Sequence, residues 1–264
     1  MSRARRTGPP PGPRTLTARS VLASALLGED PPELPVAHLV RLASLFGINE
    51  NRARVALSRM VAAGEATPDG AGHYRLAGHL LGRQRRQLAS RGGTTGRWGG
   101  DWVQVVVTAT GRSAEVRTAR RRALAHARLA ELREGVWLRP DNLEPDNLEI
   151  VLSDDMAADT ARFSSRPEDP VGLAGRLWPL EAWAATAVEL HDALAAHLPT
   201  GFADLAPGFE LSAAVLRHLQ ADPLLPSALL PGQWPGGRLR TLYEAWDARY
   251  RTVLVDWSRS VGRP

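Results

Sequence analysis

The sequence predicts an α+β chain in three parts, and three features carry that reading. Three apolar runs at helical spacing are followed by a glycine-rich turn between two short extended segments. A valine-rich run then stands between glycines, and from Leu177 onward the pattern is helical. The first feature is the element order of a winged helix-turn-helix, the second the start of a small α+β unit, and the third a helical C-terminal domain. The expected boundaries are a disordered basic arm over 1–15, the winged helix over 16–91, the middle domain over 100–170 and the helical domain over 176–260. A chain of 264 residues is long enough to bury more than one core.

Each element has a local cause. Thr17 can cap a helix with Val21, Leu22, Ala25 and Leu26 on one face, and Gly28 ends it. A second helix over 36–45 repeats the pattern. Gly47 then sits where a left-handed residue allows a sharp turn, and Asn49 caps a third helix over 50–63. The turn 68–72 joins 65–67 to 73–76 as a hairpin. A helix over 80–88 leads into the linker 92–100, and residues 102–108 form a buried strand. An amphipathic helix is expected over 113–133, with strands over 135–138 and 148–152. The main C-terminal helices fall at 180–198, 211–219 and 239–255, with breaks at Pro207 and over 222–235.

Composition narrows the function. There is no cysteine, which removes disulfides, thiolate nucleophiles and zinc fingers and makes a reducing, cytoplasmic setting the expectation. No apolar run suits a signal peptide or a membrane span. Residues 1–97 hold 15 Arg against 6 acidic residues, whereas the remainder holds 18 against 22. The first third is therefore the part drawn to a polyanion. All 33 basic residues are Arg. No GxSxG, Walker-type or dinucleotide loop is present, so neither an enzyme nor a cofactor is expected. The seven histidines form no metal motif, and His191 and His197 miss the i, i+4 spacing.

In a helix-turn-helix the third helix enters the major groove. Asn51, Arg52, Arg54 and Val55 are the candidates for base edges, and Ser58 and Arg59 for phosphate. His73 and Arg75, on the wing, are the candidates for an adjacent backbone or the minor groove. Arg117, Arg120, Arg121, Arg122 and Arg128 form a second basic cluster. It could clamp an anionic effector, although pairing with nearby Glu residues is its ordinary use. Among the eight tryptophans, Trp183 is the candidate for an effector pocket, against core or dimer packing.

The segments TARSVLASALLGE, LVRLASLFGINENRARVALSRMVAAGE and HYRL, the middle EVRTARRRALAHARLAELREGVWLRPDNL, and the C-terminal LWPLEAWAATAVEL and LQADPLLPSALLPGQWPG resemble the phenylacetic-acid-degradation repressor (PaaX-like) transcription regulators. The resemblance implies a ferredoxin-like middle domain akin to a CRISPR-associated nuclease fold. It also implies a homodimer on a double-stranded DNA operator, released by an acyl-CoA or aromatic acid effector. Nuclease relatives carry an acidic residue at the end of the first strand of that fold, where this chain has Thr108, Ala109 and Thr110. The alternative function, a metal-dependent nuclease, lacks that carboxylate.

Overall fold

A computed structural model describes residues 16–93, 95–143 and 158–261. The expected arm over 1–15 and the expected strand over 148–152 lie outside the described residues. Contacts divide the chain into two units. The first comprises the described residues up to 85 with 201–206 and 253–261, and the second comprises 86–200 with 207–252.

In the first unit α1 (Ala18–Leu27), α2 (Val36–Ser44) and α3 (Glu50–Ala62) pack pairwise. Val21, Leu22, Leu26, Leu39, Ala43, Ala53, Leu57 and Met60 fill the space between them. Thr17 caps α1 by accepting from the Ser20 amide. Strands β2 (Ala66–Pro68) and β3 (His73–Leu76) form the expected hairpin. A third strand, β1 (Glu33–Pro35), pairs antiparallel with β3, giving the order β1-β3-β2. Arg19 on α1 reaches the Glu65 carboxylate at the entry to the hairpin, with Nε 2.8 Å from Oε2. That hydrogen bond holds the Glu65 carboxyl below the usual carboxylate range. Helix α4 (His79–Gly92) begins in this unit and ends in the second.

The second unit is built on the four-stranded antiparallel order β5-β6-β4-β7. Its strands are β4 (Trp102–Val107), β5 (Ala130–Arg133), β6 (Val136–Pro140) and β7 (Thr160–Ser165). Helix α5 (Ala114–His126) joins β4 to β5, and the order is that of a ferredoxin-like sheet. Its second crossover falls on residues outside those described. Val103, Val105 and Trp137 pack with Leu124, Ala127 and Leu129 in one cluster. Trp102 and Leu138, at alternate positions, pack with Leu173, Ala174, Leu180, Leu225 and Leu229 from the C-terminal segment in another. Burial on both faces accounts for the apolar residues at successive positions Trp102 and Val103, with the half-buried Gln104 the one polar residue of β4.

The C-terminal helices are α6 (Pro170–Leu177), α7 (Leu180–Ala196), α8 (Leu205–Gln220) and α9 (Gly236–Val261). Two expectations need correction, and two elements were not expected. The helix over 113–133 stops at His126: Arg128 adopts φ +63° and the chain returns as β5, which places Leu129 in the core. Residues 160–165 supply the fourth strand described. Helix α6, not expected, starts at a Pro behind the Asp169 cap, whose carboxylate accepts from the Gly172 amide at 2.8 Å. Pro207 does not break the helix. It lies in the first turn of α8, where no intrahelical amide is required.

Buried guanidinium groups tie this unit together. Arg139 is fully buried and donates to the Pro140 and Ala127 carbonyls and to Asn142 Oδ1, while Asn142 donates to the Leu224 carbonyl. Burial pushes Arg139 down to about 9, which leaves it cationic at neutral pH. Arg128 donates to the Gln220 and Asp222 carbonyls and to Ser90 Oγ. Arg240 bonds Asp222 Oδ2 at 2.8 Å and the Ser90 carbonyl at 3.0 Å.

Two outcomes follow for stability. Arg139→Ala strands the Ala127 carbonyl and Asn142 Oδ1, while the Pro140 carbonyl keeps the Asn142 amide, and should cost about 3 kcal/mol, measured by urea unfolding. The Glu65 pair is intact above the ordinary glutamate pKa, about 4.3, and its contribution is lost as pH falls through the lowered value. Glu65→Gln should therefore lower the melting temperature at pH 7 and flatten the acid limb of the stability curve.

Candidate nucleic-acid interface

The helix expected to read DNA is fixed at its start by the turn before it. Gly47 takes φ +67°, Ile48 drops into the core, and Asn49 Oδ1 accepts from the Arg52 amide at 2.9 Å. Ala53, Ala56, Leu57 and Met60 of α3 face inward, so Asn51, Arg52, Arg54, Val55, Ser58 and Arg59 all lie exposed on the remaining surface. Val55 is 44% exposed, unusual for valine on a packed helix. Arg54 bonds Glu50 at 2.7 Å. Among the described residues the side chains of Asn51, Arg52, Ser58 and Arg59 have no hydrogen-bond or ion-pair partner.

On the wing Arg75 is exposed and bonds Glu33 Oε2 through Nε and Nη2, at 2.9 and 2.5 Å. His73 is half-buried, with Nδ1 3.2 Å from Asp69 Oδ2. Asp69 shapes the turn: its Oδ1 accepts from the Ala71 and His73 amides at 2.8 and 2.9 Å. The His73 amide is the main cause holding its carboxyl below the usual range. Glu33, Asp69 and His73 thereby offer three ligand-type atoms within 4.8 Å of one another. Sequence reasoning missed this grouping, because Glu33 joins it only through the β1–β3 register.

The arginines expected to clamp an effector do not converge on one point. Arg117 donates to the Arg112 carbonyl and Arg121 pairs with Glu131 at 3.0 Å, both exposed. Arg120 is buried against Asp159 at 3.2 Å, and Arg112 reaches the other oxygen of that carboxylate at 2.5 Å. Arg128 is engaged with the 220–222 carbonyls. Trp183 is buried and stacks with His218, centroids 4.3 Å apart, and with Trp234 at 4.6 Å. Its Nε1 donates to the His218 carbonyl, and His218 Nε2 returns a bond to the Trp183 carbonyl. Burial lowers the His218 pKa. Near the end of β4 the amides of Thr108 and Ala109 bond the Asp159 carbonyl at 3.0 and 3.4 Å, while the Asp159 side chain is taken up by Arg112 and Arg120.

A capped, arginine-bearing third helix with a hairpin behind it, followed by a ferredoxin-like sheet and C-terminal helices, defines a multi-unit α+β protein. Residues 17–80 match the PaaX-like protein family, 95–172 the PaaX protein central Cas2-like domain and 181–255 the PaaX-like protein C-terminal domain. The chain belongs to the PaaX-like family. It is similar to a solved structure described as an uncharacterized protein, Rv0674, from Mycobacterium tuberculosis. That similarity is 41% in identity with a TM-score of 0.69, over 91% of this chain and 98% of that one. No curated protein matches. Among the described residues no helix is long and apolar enough to cross a membrane.

The cap can be tested apart from any ligand. Asn49→Ala should cost about 1 kcal/mol in denaturant unfolding, and Asn49→Asp should restore most of it.

Proposed function

We propose that this chain is a DNA-binding transcriptional regulator, a ligand-responsive repressor acting as a homodimer on a double-stranded operator. Family membership supports the regulator class. The observation that carries the DNA reading is the outer face of α3, where Asn51, Arg52, Ser58 and Arg59 stand exposed and unpartnered on a helix whose start is fixed by Asn49. In that role Asn51, Arg52, Arg54 and Val55 meet base edges, and Ser58 and Arg59 meet phosphates. Arg54 and Arg75 exchange Glu50 and Glu33 for DNA, and His73 lies beside Arg75 on the wing. The effector is an acyl-CoA or a similar small anionic acid. Of the residues considered for it, Arg117, Arg121 and Arg122 are the exposed ones, whereas Arg120, Arg128 and Trp183 serve the packing of their own unit. A nuclease is not favoured: Asp159, whose carbonyl is bonded by the Thr108 and Ala109 amides beyond β4, has its carboxylate paired with two guanidinium groups. A homodimer would place two α3 helices on half-sites separated by whole helical turns.

Fluorescence anisotropy tests this with the DNA upstream of the gene and a scrambled duplex, at physiological salt, with and without phenylacetyl-CoA. Preference for the native duplex, relieved by the thioester, is the expected result; equal weak binding to both duplexes would count against the regulator. Arg52→Ala should cost roughly 1–3 kcal/mol of discrimination at one base pair, whereas Arg59→Ala should weaken both duplexes alike and reduce the salt slope by about one.

A further inference from the structure

We propose that the wing holds a divalent transition-metal ion between Glu33, Asp69 and His73. Two strands and one turn bring these side chains together. Glu33 faces Arg75 across the β1–β3 ladder, with His73 two residues along the same strand, while Asp69 opens the turn whose backbone closes on His73.

How the existing bonds are shared among the atoms favours this use. Both amides bonded by Asp69 fall on Oδ1, leaving Oδ2 towards His73. Both bonds from Arg75 fall on Glu33 Oε2, leaving Oε1. Each carboxylate thus keeps one oxygen for the fold and one for a ligand. A second observation comes from the imidazole: His73 Nδ1 is shielded from solvent, and although 3.2 Å from Asp69 Oδ2 it makes no well-directed hydrogen bond to it. The imidazole nitrogen with one oxygen from each carboxylate is a one-nitrogen, two-oxygen donor set. It suits Zn²⁺ or Co²⁺ better than Mg²⁺ or Ca²⁺, which prefer oxygen alone. Ligands about 2 Å from such an ion stand about 3.3 Å apart, so the donors must draw in from their present separations of up to 4.8 Å. Rotation of partly exposed side chains supplies that movement. Protein ligands at three positions leave the fourth to water.

Arg75 is the competitor, since its guanidinium sits on the same Glu33 carboxylate and repels a cation. Binding would couple the ion to the freedom of Arg75. That consequence for DNA rests on the proposed function; the site itself does not.

The test is calorimetric titration of the full-length protein, stripped with EDTA and dialysed, with ZnCl₂, and a parallel titration with CoCl₂ followed by visible absorption. One ion per chain is expected. His73→Gln and Glu33→Gln should each weaken it at least about tenfold and abolish the Co²⁺ bands, with circular dichroism unchanged. Arg75→Ala should tighten binding severalfold, a gain that a damaged fold cannot mimic. No Zn²⁺ uptake by the wild-type protein would overturn the site, as would wild-type affinity in both ligand variants or unaltered affinity in Arg75→Ala. Because no DNA is present, failure here is separable from failure of the regulator reading.

Discussion

Asp222 is the acceptor around which the second unit is assembled. Its carboxylate takes the Leu224 amide and Arg240, and its carbonyl takes Arg128, while Ser90 completes both guanidinium shells. Of the three buried or nearly buried arginines, Arg240 bonds that carboxylate, Arg128 bonds the Asp222 and Gln220 carbonyls and Ser90 Oγ, and Arg139 bonds two carbonyls and Asn142 Oδ1. Burial lowers Arg128 to about 10 and Arg139 to about 9, both still above neutral pH, so the positive charge is retained and every bond to it is charge-assisted. A lysine at these positions could neither fork to several acceptors nor remain planar against the strand.

This arrangement gives the distinctive C-terminal motif a physical meaning. In the stretch LQADPLLPSALLPGQWPG, Asp222 is the buried joint, Leu225 and Leu229 pack against the sheet, and Trp234 closes the stack on Trp183 and His218. The motif builds the unit's core. The first unit relies on a simpler device, one Arg19–Glu65 clamp across a three-helix core, which leaves the outer face of α3 without structural duties.

The first 80 residues were the most legible because their signals are local. Thr17, Gly47 and Asn49 act within a few residues of themselves, and the helical period of α1 to α3 follows from one buried face. Strand β1 was not legible, since a three-residue Glu-Leu-Pro segment becomes a strand only by meeting β3. The early end of α5 was hidden for the same reason. Arg128 carries no helix-breaking side chain, and its left-handed backbone is held by carbonyls about 90 residues further along the chain. Helix α6 could have been found from Asp169 and Pro170. At the candidate site the exposed face of α3 was readable from periodicity. The fates of Arg75, Arg120 and Trp183 were not, because their partners come from other elements.

The partners gathered at Asp222 bear on how the chain emerges from the ribosome. Ser90, Arg128 and Arg240 are widely separated in sequence, and Arg240 lies in the last helix. Until residues 222–240 are synthesised the sheet has strands and α5, but Trp102 and Leu138 lack Leu225 and Leu229, and Ser90 lacks Arg240. The Cas2-like segment is consequently not an excisable module. A chain cut before residue 220 would leave that apolar sheet face uncovered and Arg128 without its Gln220 and Asp222 carbonyl acceptors.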